Sequence, residues 1–253
     1  MSTSATFPGG TSVTWLDVYD DAAPDGLHGG SPHVHLASTE CYVVAAGSGA
    51  LHTVDPSGVR ETALEPGSVV WFTPGTIHRA VNHGDLRVLV VMGNAGLPEA
   101  GDAVMTFPSD VLADPERYRA AATLPDPTAG ATLRREAARR RRDLAVEGYL
   151  PIRDALLRGD DGPLREFHAA AAALVAGRAA AWSRIVTDGP LAQAQHSVEL
   201  IGALATGSAA HLAAARVELG TGSAGDLGFG MCGRLRTYDL VTGGVTELEP
   251  DDA

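Results

Sequence analysis

Between Ser12 and Gly93 the apolar residues come in short runs, Tyr42–Ala46, Val69–Phe72 and Leu89–Met92. Gly, Pro, Asp and Asn close them off at Asp21–Gly30, Asp55–Gly58, Pro74–Gly75 and Asn82–Asp85. Runs this short suit strands, and turn signals at roughly 8–12-residue spacing suit an all-β sandwich or barrel. From Ser109 to about Gly207 the texture turns helical. Pro stands where a first helical turn accepts it, in Asp114-Pro115, Gly162-Pro163 and Gly189-Pro190. Gly148 and Gly159 read as helix stops. Leu164, Phe167, Ala171, Leu174, Ala181 and Ile185 fall on one helical face. About four helices are expected, in a small bundle docked on the barrel or on a second subunit. From His211 onward β texture returns. The expected division is 1–108 for the barrel, 109–207 for the helices and 208–253 for a returning β segment.

That last segment matches an earlier one. Residues 49–66 align without a gap to 233–250, with identities at Gly49/Gly233, Leu51/Leu235, Thr53/Thr237, Asp55/Asp239, Leu64/Leu248, Glu65/Glu249 and Pro66/Pro250. Two readings stand: an internal duplication, or the shared grammar of two hairpins, the second turning at Thr242-Gly243-Gly244. The expected use is structural, as strands that extend or cover a barrel sheet and protect its edges.

The residues that carry chemistry are His33, His35, Glu40 and His78. Side chains alternate across a strand, so His33 and His35 share a face and can reach one ion. Glu40 follows at the head of an apolar run and adds an anionic oxygen. His78 comes after Pro74-Gly75, a tight turn that sets the approach of the next strand. Three imidazoles and a carboxylate suit one divalent transition metal, Fe, Mn, Ni, Co, Cu or Zn, rather than Ca or Mg.

The spacing resembles that of the cupin superfamily. Its first motif is matched by His33-Val34-His35, four residues, Glu40, six residues, Gly47. Its second is matched by Gly67, five residues, Thr73-Pro74-Gly75, two residues, His78, three residues, Asn82. Thr73 replaces the usual Pro, and the leading Gly of the first motif is displaced among Gly26, Gly29 and Gly30. The resemblance covers about residues 12–93. It implies a double-stranded β-helix, or jelly-roll, barrel with one metal ion, giving a mainly β fold with added helices. At the offset of the repeat, His33, His35 and Glu40 correspond to Val217, Leu219 and Ala224, and the sequence stops before any counterpart of His78. If this stretch is a second cupin, it is expected to be partial and unable to bind metal.

The resemblance implies a range of reactions: dioxygenase, isomerase or epimerase, decarboxylase, lyase. Two open metal positions rank dioxygenase-type oxidation of a small organic molecule first and isomerisation next. The rival is a non-catalytic, metal-dependent small-molecule sensor. Tyr42 shares strand parity with Glu40 and is the candidate catalytic proton donor or acceptor, or else a lining aromatic. Asn82 shares parity with His78 and is the candidate substrate contact, or else a turn former. Glu99 and Asp102 lie in a Gly-rich stretch that reads as a lid or rim, where both are available to a polar ligand, or as a linker to the helices. The run Arg139–Arg142, with Arg134 and Arg135, reads as a solvated helix face paired with Glu136, Asp143 and Glu147.

Composition narrows the partners. The formal net charge is −12 and all 19 basic residues are Arg, a poor balance for binding a nucleic-acid backbone. No helix-turn-helix is evident. No apolar run approaches the roughly 18–20 residues that span a bilayer. Met1–Thr11 lacks a basic start and an apolar core, so no signal peptide and a cytoplasmic location are expected. The 2 cysteines, Cys41 and Cys232, are too few for a disulfide framework and read as small buried hydrophobes. A homodimer is expected.

Overall fold

The computed structural model of the protein describes residues 7–225, 227–238, 240 and 245–248. Its strands are β1 (Ser12–Val18), β2 (His33–His35), β3 (Glu40–Asp55), β4 (Gly58–Leu64), β5 (Val69–Phe72), β6 (Ile77–Met92), β7 (Ala103–Met105), β8 (Val217–Gly220), β9 (Gly228–Phe229), β10 (Gly233–Thr237) and β11 (Val245–Leu248). Its helices are α1 (Ser109–Leu112), α2 (Pro115–Ala122), α3 (Ala131–Leu157), α4 (Gly162–Val175), α5 (Ala179–Val186) and α6 (Ala192–Ala205).

β3 and β6 pair antiparallel from Glu40 opposite Met92 to Val54 opposite Ile77. Their register shifts between Val44 and Gly49, where both strands bend. Each long strand therefore serves two half-sheets. In one, β5 joins β3 while β1 joins β6. In the other, β4 joins β3 while β2 joins β6, with β7 beyond β2. The halves face one another, because Leu16, Tyr42, Val88 and Val90 of the first share one buried core with Leu51, Leu64 and Ala80 of the second. Residues Asn82–Asp85, expected to end a strand, lie within β6 at this bend. Pairing with β3 resumes on both sides of them, so turn-type residues here make a bulged corner rather than a reversal.

The helices cover the outer face of the second half-sheet. Val34, Val54, Ile77 and Val104 from the strands pack with Ala145, Tyr149 and Ile152 of α3 and Leu164, Phe167 and Ala171 of α4. Burying a side chain such as Leu164 or Phe167 contributes on the order of 2–3 kcal/mol. The start signals hold for α2, where Asp114 accepts from the Glu116 and Arg117 amides, and for α4, which opens with Gly162-Pro163. Pro190 does not start a helix; it sits in the wide turn Thr187–Leu191 between α5 and α6. Gly148 does not stop α3 but lies inside it. A Cβ there would fall 2.2 Å from the Thr106 carbonyl oxygen, so this glycine lets the helix touch the chain leaving β7.

The arginine run divides in two. Arg135 and Arg139 reach Asp21 and Arg140 reaches Glu136, as a solvated face should. Arg141 and Arg142 are buried instead. Arg142 donates to the Asp21 and Ala22 carbonyls, and Arg141 to those of Ala122 and Gly230. A guanidinium carries five N–H donors in a rigid fork and can serve loop carbonyls that no strand pairs.

From Gly162 to Ala205 the chain is helical but for its turns, and by length and composition alone this stretch could cross a bilayer. The expectation that nothing approaches that length is corrected to this extent. The turns at Ala176–Arg178 and Thr187–Leu191 interrupt it, and α4 turns its apolar face to the core.

β10 pairs antiparallel with β1, Leu235 opposite Leu16, and on its other side with β9. β11 pairs with β8. In residues 49–66 the matching strands form a β3–β4 hairpin; in the later copy the two strands have other partners. The similarity in sequence is not one of pairing, because both edges of β10 are taken. Asp239, Thr242-Gly243-Gly244, Glu249 and Pro250 lie outside the described residues.

Candidate metal centre

β2 is only long enough for His33, Val34 and His35, and alternation divides them. Val34 joins the core under the helices, while both imidazoles turn into the barrel. Glu40 is the first residue of β3, and His78, on β6, lies directly opposite His33. The Thr73–Thr76 turn carries His78 there, and its Gly75 amide donates to the His35 carbonyl at 2.9 Å, tying the two motifs together. His168 of α4 pins the same turn through the Gly75 carbonyl at 2.8 Å.

All four side chains are buried, and one ligand atom from each lies within 4.8 Å of the others. Ligands about 2.0–2.3 Å from a shared ion would be separated by such distances. Glu40 Oε2 stands 3.1 Å from His35 Nε2 and 3.0 Å from His78 Nε2. Neither contact is aligned as a hydrogen bond, so among the described residues Glu40 Oε2 and His78 Nε2 have no hydrogen-bond partner. Buried polar atoms left in this state are costly unless something fills the gap between them, as a cation would.

The far side of each ring is held. His33 Nδ1 lies 2.9 Å from the Ser31 carbonyl and His78 Nδ1 lies 3.1 Å from that of Thr76. A carbonyl only accepts, so both protons sit on Nδ1 and both Nε2 atoms are free to ligate. His35 Nδ1 faces Asp102 Oδ2 at 3.3 Å, a charge contact rather than an aligned hydrogen bond. Burial opposes charge on His35, but Asp102 and Glu40 hold its pKa up at about 9. Burial, with the His78 and His35 rings beside it, pushes His33 well below its ordinary value. Burial also opposes ionisation of Glu40, yet the neighbouring His78 and His35 keep its carboxyl well below the usual range.

Tyr42 is fully buried, its ring 6.5 Å from that of His78, and its hydroxyl donates to Cys232 Sγ at 3.8 Å. Burial raises the phenol well above its ordinary value and pushes the Cys232 thiol up to about 12. Phe72 packs its ring 4.1 Å from that of His78. Asn82 has the expected parity, but its amide is spent. Nδ2 donates to the Val18 and Tyr19 carbonyls, and Oδ1 accepts from the Gly84 and Leu86 amides. The structure gives Asn82 the turn-forming role, because at the corner of β6 backbone partners are nearer than any ligand.

Two residues beside the centre have places that the sequence expectation did not give them. Asp102 is fully buried against His35 and is not available to a ligand at a rim. Cys232, read as a plain hydrophobe, stands 4.0 Å from His33 Nδ1. Glu99, the other acidic residue of that stretch, lies in the turn Pro98–Asp102.

The fold is a bent-strand barrel, and the four clustered side chains inside it could hold one metal ion. Residues 22–92 match the family model described as the cupin domain, so the chain carries a cupin domain there. No curated protein matches the chain. Among solved structures it is similar to an uncharacterized conserved protein with a double-stranded β-helix domain from Klebsiella pneumoniae, at 21% identity and TM-score 0.26 over 32% of this chain and 60% of that one. It is similar to WlaRA, a TDP-fucose-3,4-ketoisomerase from Campylobacter jejuni, at 15% identity and TM-score 0.27 over 31% and 58%. A recombinant oxalate oxidase in complex with glycolate matches at 20% identity and TM-score 0.25 over 36% and 54%. The chain thus spans 60% or less of the length of each.

Proposed function

We propose that the barrel holds one divalent transition metal and oxidises a small organic molecule with O₂, in a dioxygenase-type reaction. The observation that carries this reading is the convergence of four buried ligand atoms within 4.8 Å, two of them without a hydrogen-bond partner among the described residues. His33, His35, Glu40 and His78 would hold the ion and leave room for further donors. When bound, such an ion supplies Lewis acidity and one-electron chemistry. Phe72, Val90 and Met92 exclude water from the barrel around it.

Oxidation is favoured over isomerisation because the described residues offer no ready base beside the ligands. Burial holds Tyr42 and Cys232 protonated, and Asp102 is spent on backbone amides. Tyr42 is the residue placed to donate a proton or a hydrogen bond to a bound molecule, once its hydroxyl turns from Cys232. A homodimer belongs to the same reading. Leu191, Val198, Ile201 and Leu204 stand exposed on and just before α6, a helix with no buried residue, and a second copy would cover them. Light scattering that finds only monomer removes that part.

The test works with the substrate still unidentified. Iron-loaded protein is incubated with a small-molecule extract under isotopically labelled O₂, and products are read by mass spectrometry. A labelled compound is expected with the native protein and absent with the His35→Ala/His78→Ala variant, which should also lose the metal. A bound metabolite recovered unchanged and unlabelled would make the protein a sensor.

A further inference from the structure

The surroundings of Asp102 are more elaborate than a linker residue requires. Its side chain has no exposure at all. Oδ1 accepts from the Leu36 amide at 3.0 Å and the Ala37 amide at 2.8 Å. Oδ2 accepts from the Ser38 amide at 3.0 Å and faces His35 Nδ1 at 3.3 Å. Three consecutive amides and a ligand ring thus converge on one carboxylate. These amides belong to the turn between His35 and Glu40, so both ends of the captured segment are metal-ligand residues.

The residue is itself held from the helical side. Trp182 Nε1 donates to the Ala100 carbonyl at 3.3 Å, and Arg178 Nη1 donates to that of Gly101 at 3.2 Å. Both donors come from the α4–α5 region, so the helices brace the stretch that ends in Asp102. A carboxylate buried with three amide donors and a ring nitrogen has a single orientation and cannot swing to solvent. That is the arrangement that fixes a ligand rather than one that binds a substrate.

We infer that Asp102 is a positioning residue of the metal centre. Through Oδ2 it keeps the His35 proton on Nδ1 and presents Nε2 to the ion; through Oδ1 it locks the turn that sets the spacing of His35 and Glu40. The inference rests on the metal-binding reading above. Its two oxygens have separable jobs, and this makes it testable. Asp102→Asn can keep the Leu36 and Ala37 bonds through its remaining oxygen, while its NH₂ group faces donors at the Oδ2 position. Asp102→Ala removes both sets.

The experiment measures Co(II) affinity, by competition with a chromophoric chelator, and the visible spectrum of the Co(II) form. Wild-type protein should bind one ion. D102N should bind it roughly 10- to 100-fold more weakly, with a shifted spectrum, and D102A more weakly still with a lowered melting temperature. If D102N matches wild type in affinity and spectrum while only its melting temperature changes, Asp102 is merely structural and the inference is wrong. If wild type itself binds no Co(II), it is the metal reading that fails, and this inference with it. Should D102N not fold, the tautomer of His35 in Zn(II)-loaded wild type decides by nitrogen NMR. A proton on Nδ1 supports the assignment, and ligation through Nδ1 overturns it.

Discussion

His35 stands between two carboxylates, Glu40 at 3.1 Å and Asp102 at 3.3 Å. Burial opposes its charge, but the carboxylates prevail and raise its pKa from 6.5 to about 9 in the metal-free protein. A folded pKa above the unfolded value gives stability that is complete below about pH 6.5 and is lost as pH rises through about 9. A shift of that size corresponds to something on the order of 3 kcal/mol. A metal ion on Nε2 keeps the ring neutral and removes this contribution. The melting temperature of metal-free protein should therefore fall across that pH window, while that of the loaded protein should not follow it. A metal-free melting temperature flat from pH 6.5 to 9 would contradict the charge pairing. The four clustered residues were legible in the sequence because strand alternation, one tight turn and the spacing of the cupin motifs pick out His33, His35, Glu40 and His78. Asp102 and Cys232 were not. Asp102 reaches Leu36 across 66 positions and Cys232 reaches His33 across 199, and no local period encodes such contacts.

At the scale of elements, what misled was that one residue type serves two purposes. A glycine after a helical run signals a stop, and at Gly159, with φ +84° just beyond α3, it is one. Gly148 is a glycine for contact. Thr106 Oγ1 donates to the Ala145 carbonyl at 2.8 Å, so α3 lies directly on the segment that leaves β7. Gly148→Ala sets two effects against each other. Alanine favours a helix interior by about 1 kcal/mol. The new Cβ would stand 2.2 Å from the Thr106 oxygen and 2.5 Å from the Phe107 carbonyl carbon, and overpacking of this kind costs typically 1–3 kcal/mol or more. The clash is with backbone, which cannot step aside as a side chain can, so the variant should be less stable by about 1–2 kcal/mol in urea unfolding. A stabilised G148A would show that α3 does not need this approach. The corner at Asn82–Asp85 and the buried Arg141 and Arg142 escaped the sequence for the same reason. Composition marks turns and charged faces, but which strand continues opposite, or which loop carbonyl lacks a partner, is decided by tertiary neighbours.

At the scale of the molecule, β10 pairs onto the barrel beside the candidate metal centre. β10 covers the edge of β1 from Thr14 opposite Thr237 to Val18 opposite Gly233. The turn before it is anchored on three sides. Its Met231 carbonyl accepts from the Ser31 amide at 3.0 Å, its Cys232 carbonyl from the Tyr19 amide at 3.1 Å, and its Gly230 carbonyl from Arg141 at 2.6 Å. Ser31 is also the residue whose carbonyl orients His33, so a path of adjacent contacts joins Met231 to a ligand. Deleting residues 209–253 should bare the β1 edge, open the core at Cys232 and leave the buried Arg141 short of an acceptor, at roughly 1–3 kcal/mol for that donor alone. The truncated protein should aggregate or melt well below the full chain, although all four ligands remain. Because a large deletion can unfold a protein for general reasons, Gly233→Val provides a gentler version. A Cβ at 233 would lie 2.0 Å from the Asp17 carbonyl oxygen, so β10 must lift away from β1 while the rest of the segment stays present. That variant should lose melting temperature and bind metal more weakly, the second effect travelling through Ser31 to His33. A truncated chain that remained soluble, melted like the full protein and bound metal with unchanged affinity would show instead that the barrel closes without its C-terminal strands.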